Sequence, residues 1–226
     1  MYKEQFLIKS KWVVIVLCIT LFILNYIKKH INRSTRRILQ ITGILISLVI
    51  LYVLFVINQQ PSIPPFREGR IISPSSGYIG DITYHGDRVT IMFNLSFLNN
   101  HIQYIPYNGT ILSDKYQQSK YLRAKRMFLL HPTFVENFEE SIRDNEQYKT
   151  TLMTDIGEIK ITRIAGLVAP RVFSYINEGD IVKQGDVMGL IVFSSMVLLE
   201  LPSTIQLHIT KGDSVIAGQT NVGQLI

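Results

Sequence analysis

Hydropathy along this chain follows two regimes, and the change falls near residue 58. Before it, apolar residues come in nearly unbroken runs. Trp12 to Ile27 is about sixteen residues and Ile38 to Ile57 about twenty, close to what a membrane-crossing helix needs. Only Gln40, Thr42 and Ser47 dilute the second run. Together the two runs predict a helical hairpin, either spanning the bilayer or half-inserted in it. Between them lies the basic stretch Lys28-Lys29-His30-Ile31-Asn32-Arg33-Ser34-Thr35-Arg36-Arg37. The positive-inside rule puts that loop in the cytoplasm, whereas Lys3, Lys9 and Lys11 pull the other way. A signal peptide fits the first run poorly, because no small-residue cleavage site follows it.

After residue 58 the pattern changes. Asn58 to Pro65 carries three prolines and reads as an extended linker. Beyond it, β-branched residues alternate with polar ones at Gly77–Tyr84, Arg88–Phe93, Lys149–Met153, Glu158–Ile164, Val187–Phe193 and Ile205–Ile209, which predicts strands. One helix is expected at Thr133–Arg143, behind Pro132 and with Glu136, Glu139 and Glu140 early in it. Its Phe134, Val135, Phe138 and Ile142 fall at helical spacing, which core packing explains. A short repeat stands out. Gly179-Asp180-Ile181-Val182-Lys183-Gln184-Gly185 matches Gly212-Asp213-Ser214-Val215-Ile216-Ala217-Gly218. Gly and Asp suit tight turns and the valine suits a core, a pattern found in sandwich-like β domains, biotinyl and lipoyl carriers among them. The expected organisation is a membrane hairpin over 1–58, a linker over 59–66 and a β-rich domain over 67–226. The fold class is mainly β with minor α.

Charge adds one exclusion. The net charge is +6, but residues 1–58 hold eight Lys/Arg and one acid, and residues 59–226 hold fifteen Lys/Arg and sixteen acids. The basic character belongs to the membrane end. The body lacks the clustered positive charge that a nucleic-acid surface needs. Cys18 is the only cysteine, so no disulfide or cysteine-based metal site forms within one chain, and no metal site is expected.

Candidate chemistry lies near the C-terminus. Gly189-Leu190-Ile191-Val192-Phe193-Ser194-Ser195-Met196-Val197, with Leu199-Glu200-Leu201-Pro202 after it, is an apolar, strand-like run holding two adjacent hydroxyls. On its own a serine there reads as a satisfied core hydroxyl. The segment resembles the self-cleavage site of the phosphatidylserine decarboxylase family, Gly-Leu-Ile-x-Phe-Gly-Ser. Ser195 takes the serine's place and Ser194 the glycine's. The resemblance runs from about Phe55 to the end. Ser73-Pro74-Ser75-Ser76-Gly77 is similar to the family's Ser-Pro-Ala-Asp-Gly. Ser96-Phe97-Leu98-Asn99-Asn100-His101-Ile102-Gln103 is similar to Ser-Pro-Phe-Asp-Val-His-Val-Asn, with Pro106 and Gly109 continuing it. Lys120-Tyr121-Leu122-Arg123-Ala124, Asn145-Glu146 and Ile164-Ala165-Gly166-Leu167-Val168-Ala169-Pro170-Arg171 follow in the family's order.

The resemblance implies a pyruvoyl-dependent lyase. Self-cleavage between Ser194 and Ser195 would turn Ser195 into a pyruvoyl group, a covalent carbonyl cofactor that draws electrons as carbon dioxide leaves phosphatidylserine and phosphatidylethanolamine forms. His101 would be the base that takes the Ser195 proton. Ser76 stands where the family has its triad aspartate, and Asn99 where it has a second aspartate. The implied partners are a phospholipid substrate and the membrane, and a homodimer is compatible. Two other readings stand beside this one: a non-catalytic, membrane-anchored relative serving as scaffold or lipid binder, and a carrier-type β domain. A carrier presents a lysine in its turn; here the comparable segment holds Ser194-Ser195-Met196.

Overall fold

The computed structural model describes residues 18–20, 22, 32–57, 62–96, 99–119, 142–166, 171–192 and 195–225. The chain divides into two units, residues 1–58 and 59–226. In the first, helix α1 spans Arg33–Ile57. Asn32 caps it: its side-chain oxygen accepts the Thr35 N–H at 2.9 Å and the Thr35 hydroxyl at 2.8 Å. Ile38, Ile44, Leu45, Ile46 and Leu51 leave apolar surface exposed on more than one face of α1. Such a helix is stable when buried in a core or in lipid. By length and composition it is able to cross a membrane. Most of the expected first hairpin helix, Trp12–Ile27, lies outside the described residues, as does the expected helix at Thr133–Arg143 except for its last two residues, Ile142 and Arg143.

The second unit is a β sandwich. Its strands are β1 (Arg70–Ile72), β2 (Gly77–His85), β3 (Arg88–Leu95), β4 (Ile102–Tyr104), β5 (Gly109–Gln117), β6 (Gln147–Thr154) and β7 (Gly157–Ile164). They continue with β8 (Arg171–Ser174), β9 (Ile181–Val182), β10 (Val187–Val192), β11 (Ser195–Pro202), β12 (Ile205–Leu207), β13 (Ser214–Val215) and β14 (Asn221–Leu225). A large sheet runs β13-β2-β3-β11-β7-β6-β5-β9, and two small sheets run β1-β14-β12 and β4-β10-β8. Strict alternation along β3 buries Val89, Ile91, Phe93 and Leu95 in the main core. β11 is apolar on both faces, because Val197, Leu199 and Leu201 enter that core while Met196 packs with Ile164 on the reverse side.

The strand order reads as two equivalent halves, one nested inside the other. Tyr78↔Asn94, Ile79↔Phe93 and Asp81↔Met92 between β2 and β3 recur as Thr110↔Met153, Ile111↔Leu152 and Ser113↔Thr151 between β5 and β6, with a register shift at the same step. Arg70↔Gln224, Ile71↔Gly223 and Ile72↔Asn221 recur as Ile102↔Leu190, Gln103↔Gly189 and Tyr104↔Val187. The Gly-Asp repeat belongs to this duplication. Gly179 and Gly212 both have positive φ, 87° and 94°, and Asp180 and Asp213 accept the backbone N–H of Asn177 and Thr210, each at 2.7 Å. Strands β4 to β10 form one half in a continuous stretch. Strands β1–β3 and β11–β14 form the other, split around it. In the continuous half, β6 and β7 close a tight hairpin through Thr154↔Gly157. In the split half the equivalent hairpin is open at Leu95↔Ser195, and the whole second half is inserted there.

A buried ion pair joins the layers. Arg163 on β7, fully buried, contacts Asp114 on β5 at 2.9 Å and Ser174 on β8 at 2.9 Å, and donates to the Met188 carbonyl beside β10's Gly189 at 3.3 Å. Its guanidinium lies over Tyr148, 5.1 Å from the ring centroid. A Cβ at Gly189 would come within 2.2 Å of both an Arg163 guanidinium nitrogen and the Phe173 carbonyl oxygen, so only glycine fits there.

Candidate active site

The run Gly189–Pro202 reads as one apolar stretch in the sequence and forms two strands. β10 belongs to a small sheet and β11 to the large one, so the chain changes layer between Val192 and Ser195. Ser194 lies outside the described residues. Ser195 opens β11, opposite Leu95.

His101 lies at the other junction of the inserted half, just before β4. The turn ahead of it is built by Asn99, whose side-chain oxygen accepts the Ser96 N–H at 2.8 Å and the Ser96 hydroxyl at 2.9 Å. An amide oxygen meets that demand as well as a carboxylate does, so Asn99 costs the turn nothing. The His101 carbonyl accepts the Ile191 N–H at 3.1 Å and the Gln103 side-chain N–H, which fixes the backbone to β10. The ring is 4% exposed, and neither nitrogen makes a hydrogen bond. Burial pushes its pKa from 6.5 down to about 4, against a weaker opposing pull from the Asn99 backbone. The imidazole is therefore neutral at pH 7, as a proton acceptor must be.

Ser76 is buried, and its hydroxyl oxygen accepts the Ala217 N–H at 2.9 Å. The duplication explains this contact. In the other half the side-chain oxygen of Asn108 accepts the Gln184 N–H at 2.8 Å, at the equivalent step of the Gly-Asp turn. The fold thus requires an acceptor at position 76, which serine supplies without a charge. Asp81, at the surface, pairs with Lys211 at 3.0 Å, and Asp87 sits in the exposed turn between β2 and β3. Neither makes a hydrogen bond to the His101 ring. Gly77, next to Ser76, has φ 141° and packs its backbone against Asn94 and Leu95, where a Cβ would collide at 2.2 Å. Ser76 and Ser195 are thus brought to the same end of the large sheet through β3.

Two groups escape sequence reasoning. The Arg163–Asp114 pair joins positions far apart in sequence, and no spacing announces it. Glu146 shows in the sequence only as part of an Asn-Glu match. It is 4% exposed, and its carboxylate accepts the Val172 N–H at 3.0 Å. A lone acid beside polar neighbours reads as solvated, so only burial reveals it. Among the described residues no cluster of His, Cys, Asp or Glu is placed to hold a metal ion.

Comparison with known proteins identifies the family. The family model described as phosphatidylserine decarboxylase matches residues 63–223. The chain is 31% identical over 156 residues to a phosphatidylserine decarboxylase proenzyme of Streptomyces avermitilis, covering 69% of this chain and 66% of that protein, just under two thirds of its length. It is 30% identical over 184 residues to the proenzyme of Geotalea uraniireducens, covering 78% and 81% respectively, and 28% identical over 191 residues to that of Carboxydothermus hydrogenoformans, covering 81% and 84%. With the family model matched over residues 63–223 and relatives about 30% identical over most of its length, the chain belongs to the phosphatidylserine decarboxylase family.

Proposed function

We propose that this chain is a membrane-anchored proenzyme that cleaves its own Ser194–Ser195 bond and then decarboxylates phosphatidylserine to phosphatidylethanolamine. The observation that carries the reading is His101: a buried, neutral imidazole with both nitrogens unpartnered, held by backbone contacts to the strand that leads to Ser195. A buried polar group left without a partner costs free energy, which a reacting hydroxyl would relieve. His101 takes the Ser195 hydroxyl proton as the oxygen attacks the Ser194 carbonyl carbon. The Ser195 nitrogen leaves with a proton, and an ester replaces the amide. Loss of the Ser195 Cα proton expels the Ser194 carboxylate and parts the chain. Water then displaces the nitrogen as ammonia, and a ketone remains. That ketone supplies the electron sink for loss of the headgroup carboxylate. Among the described residues the group that would move a proton beside such a ketone is the buried His101 ring, whose backbone carbonyl is bonded to the Ile191 N–H of β10. The apolar helix α1 supports action at a lipid surface.

The test is intact mass of the purified full chain in lipid micelles. The wild type should separate into residues 1–194 and 195–226, the latter bearing the ketone, and release carbon dioxide from phosphatidylserine. Ser195→Ala should do neither, because alanine offers no nucleophile and no leaving oxygen. A Ser195→Ala chain that still decarboxylates would sink the reading. One observation favours a second one, a non-catalytic relative: no carboxylate occupies position 76, and neither Asp81 nor Asp87 replaces it. A wild-type chain that stays whole and inert would establish it.

A further inference from the structure

The two halves provide an internal control: contacts present in both belong to the fold, and a contact present in one is a candidate for function. By that criterion the Ser76–Ala217 contact is architectural, because Asn108–Gln184 repeats it. Glu146 differs. Its counterpart in the other half is Asp87: Ala165 N–H donates to the Glu146 carbonyl at 2.8 Å, and Ser203 N–H donates to the Asp87 carbonyl at 2.7 Å. Asp87 is exposed, whereas the Glu146 side chain is buried and crosses between layers.

Where it crosses is informative. In the large sheet Asn94, Met196, Ile164 and Gln147 stand in one row across β3, β11, β7 and β6. The next row outward holds Leu95, Ser195, Ala165 and Glu146. In the small sheet Ile102, Leu190 and Phe173 form a row, and the next holds His101, Ile191 and Val172. The Glu146 carboxylate accepts the Val172 N–H at 3.0 Å. One hydrogen bond therefore ties the row that carries Ser195 to the row that carries His101. A carboxylate is an expensive group to bury, and packing alone would be met by an apolar side chain.

We infer that Glu146 is a positioning residue for self-cleavage, its carboxylate oxygen holding the His101 row against the Ser195 row. The inference rests on the decarboxylase reading above. Without the tie the Val172 N–H is buried without an acceptor, and the two layers part at the site. Displacements of about an ångström cost on the order of 100-fold in rate.

The experiment follows loss of intact, pulse-labelled full chain in lipid micelles, alongside its melting temperature. Glu146→Ala should slow cleavage about 100-fold, while Glu146→Gln, which keeps an acceptor oxygen, should stay within about fivefold of wild type. Asp87→Ala, the counterpart, should cleave at the wild-type rate. So should Ile159→Val, a core change at the far end of β7, despite its lower melting temperature; that separates placement from stability. Hydrogen exchange in an uncleavable Ser195→Ala background should show faster exchange at Val172 and Ile191 for Glu146→Ala but not for Glu146→Gln. Wild-type speed or unchanged exchange in Glu146→Ala, or a Gln variant as slow as Ala, overturns the role of Glu146. A wild-type chain that never cleaves overturns the decarboxylase reading, and this role with it.

Discussion

At the residue scale His101 is the informative group, because its burial has a thermodynamic signature. Its folded pKa of about 4 lies below the ordinary 6.5. Between those values the unfolded chain binds more protons than the folded one, so stability falls as pH drops. The contribution is complete above pH 6.5, is lost progressively toward pH 4, and is constant below it. About 3 kcal/mol is at stake, because each pH unit between the two values is worth roughly 1.4 kcal/mol. Urea unfolding at pH 7 and pH 4 should show the wild type losing that much more than His101→Gln. Equal losses would mean that the ring is solvated. Ser76 makes a second residue-level case. A carboxylate at 76 can keep the Ala217 N–H with one oxygen and leave the other for the imidazole. Losing the orienting acid of a serine triad costs on the order of 10⁴ in rate. Ser76→Asp should therefore accelerate intact-chain loss by at least about tenfold, and an unchanged rate would separate position 76 from the chemistry.

At the element scale, Arg163 keeps β8 and β10 in place ahead of the proposed cleavage site. Arg163 reaches both from β7, and Asp114 and Ser174 complete the contact. Removing one partner of a buried pair leaves an uncompensated charge and costs about 3–5 kcal/mol. Arg163→Met should lower the urea midpoint accordingly. The double variant Arg163→Met with Asp114→Leu should recover most of the loss, since apolar replacement of a whole buried pair is often neutral. A double variant as unstable as the single would show that Thr150, which donates to Asp114 at 2.6 Å, also depends on the charge.

At the scale of the whole molecule, nesting decides what the proposed cleavage would do. The piece 195–226 begins with β11, paired on one side with β3 and on the other with β7 in the middle of the large sheet. It continues into β12, β13 and β14, each paired within the sandwich. Cutting at the mouth of an opened hairpin breaks one covalent bond and no ladder. The two pieces should co-elute in mild detergent and part only under denaturing conditions. A short piece that elutes alone would contradict the nested arrangement.

Much of this is legible along the chain. The apolar run of α1, the alternation of β2, β3, β6 and β7, and the paired Gly-Asp turns are local patterns, and local sterics and burial set them. The order of the matched segments carries the family and makes Ser195 and His101 the candidates. The short strands β1, β4, β8, β9 and β13 are too brief to show a period, and β5 buries too few of its side chains to alternate. The division of the Gly189–Pro202 run between two sheets is not legible either, because both parts are equally apolar. Nor are the equivalence of Ser76 with Asn108, the Arg163–Asp114 pair, or the contact from Glu146 to Val172. Each depends on which strands lie side by side, and ladders join residues with no fixed spacing in sequence. Residue types thus determined the chemistry available to the chain, while the packing of one half inside the other decided which of those residues meet.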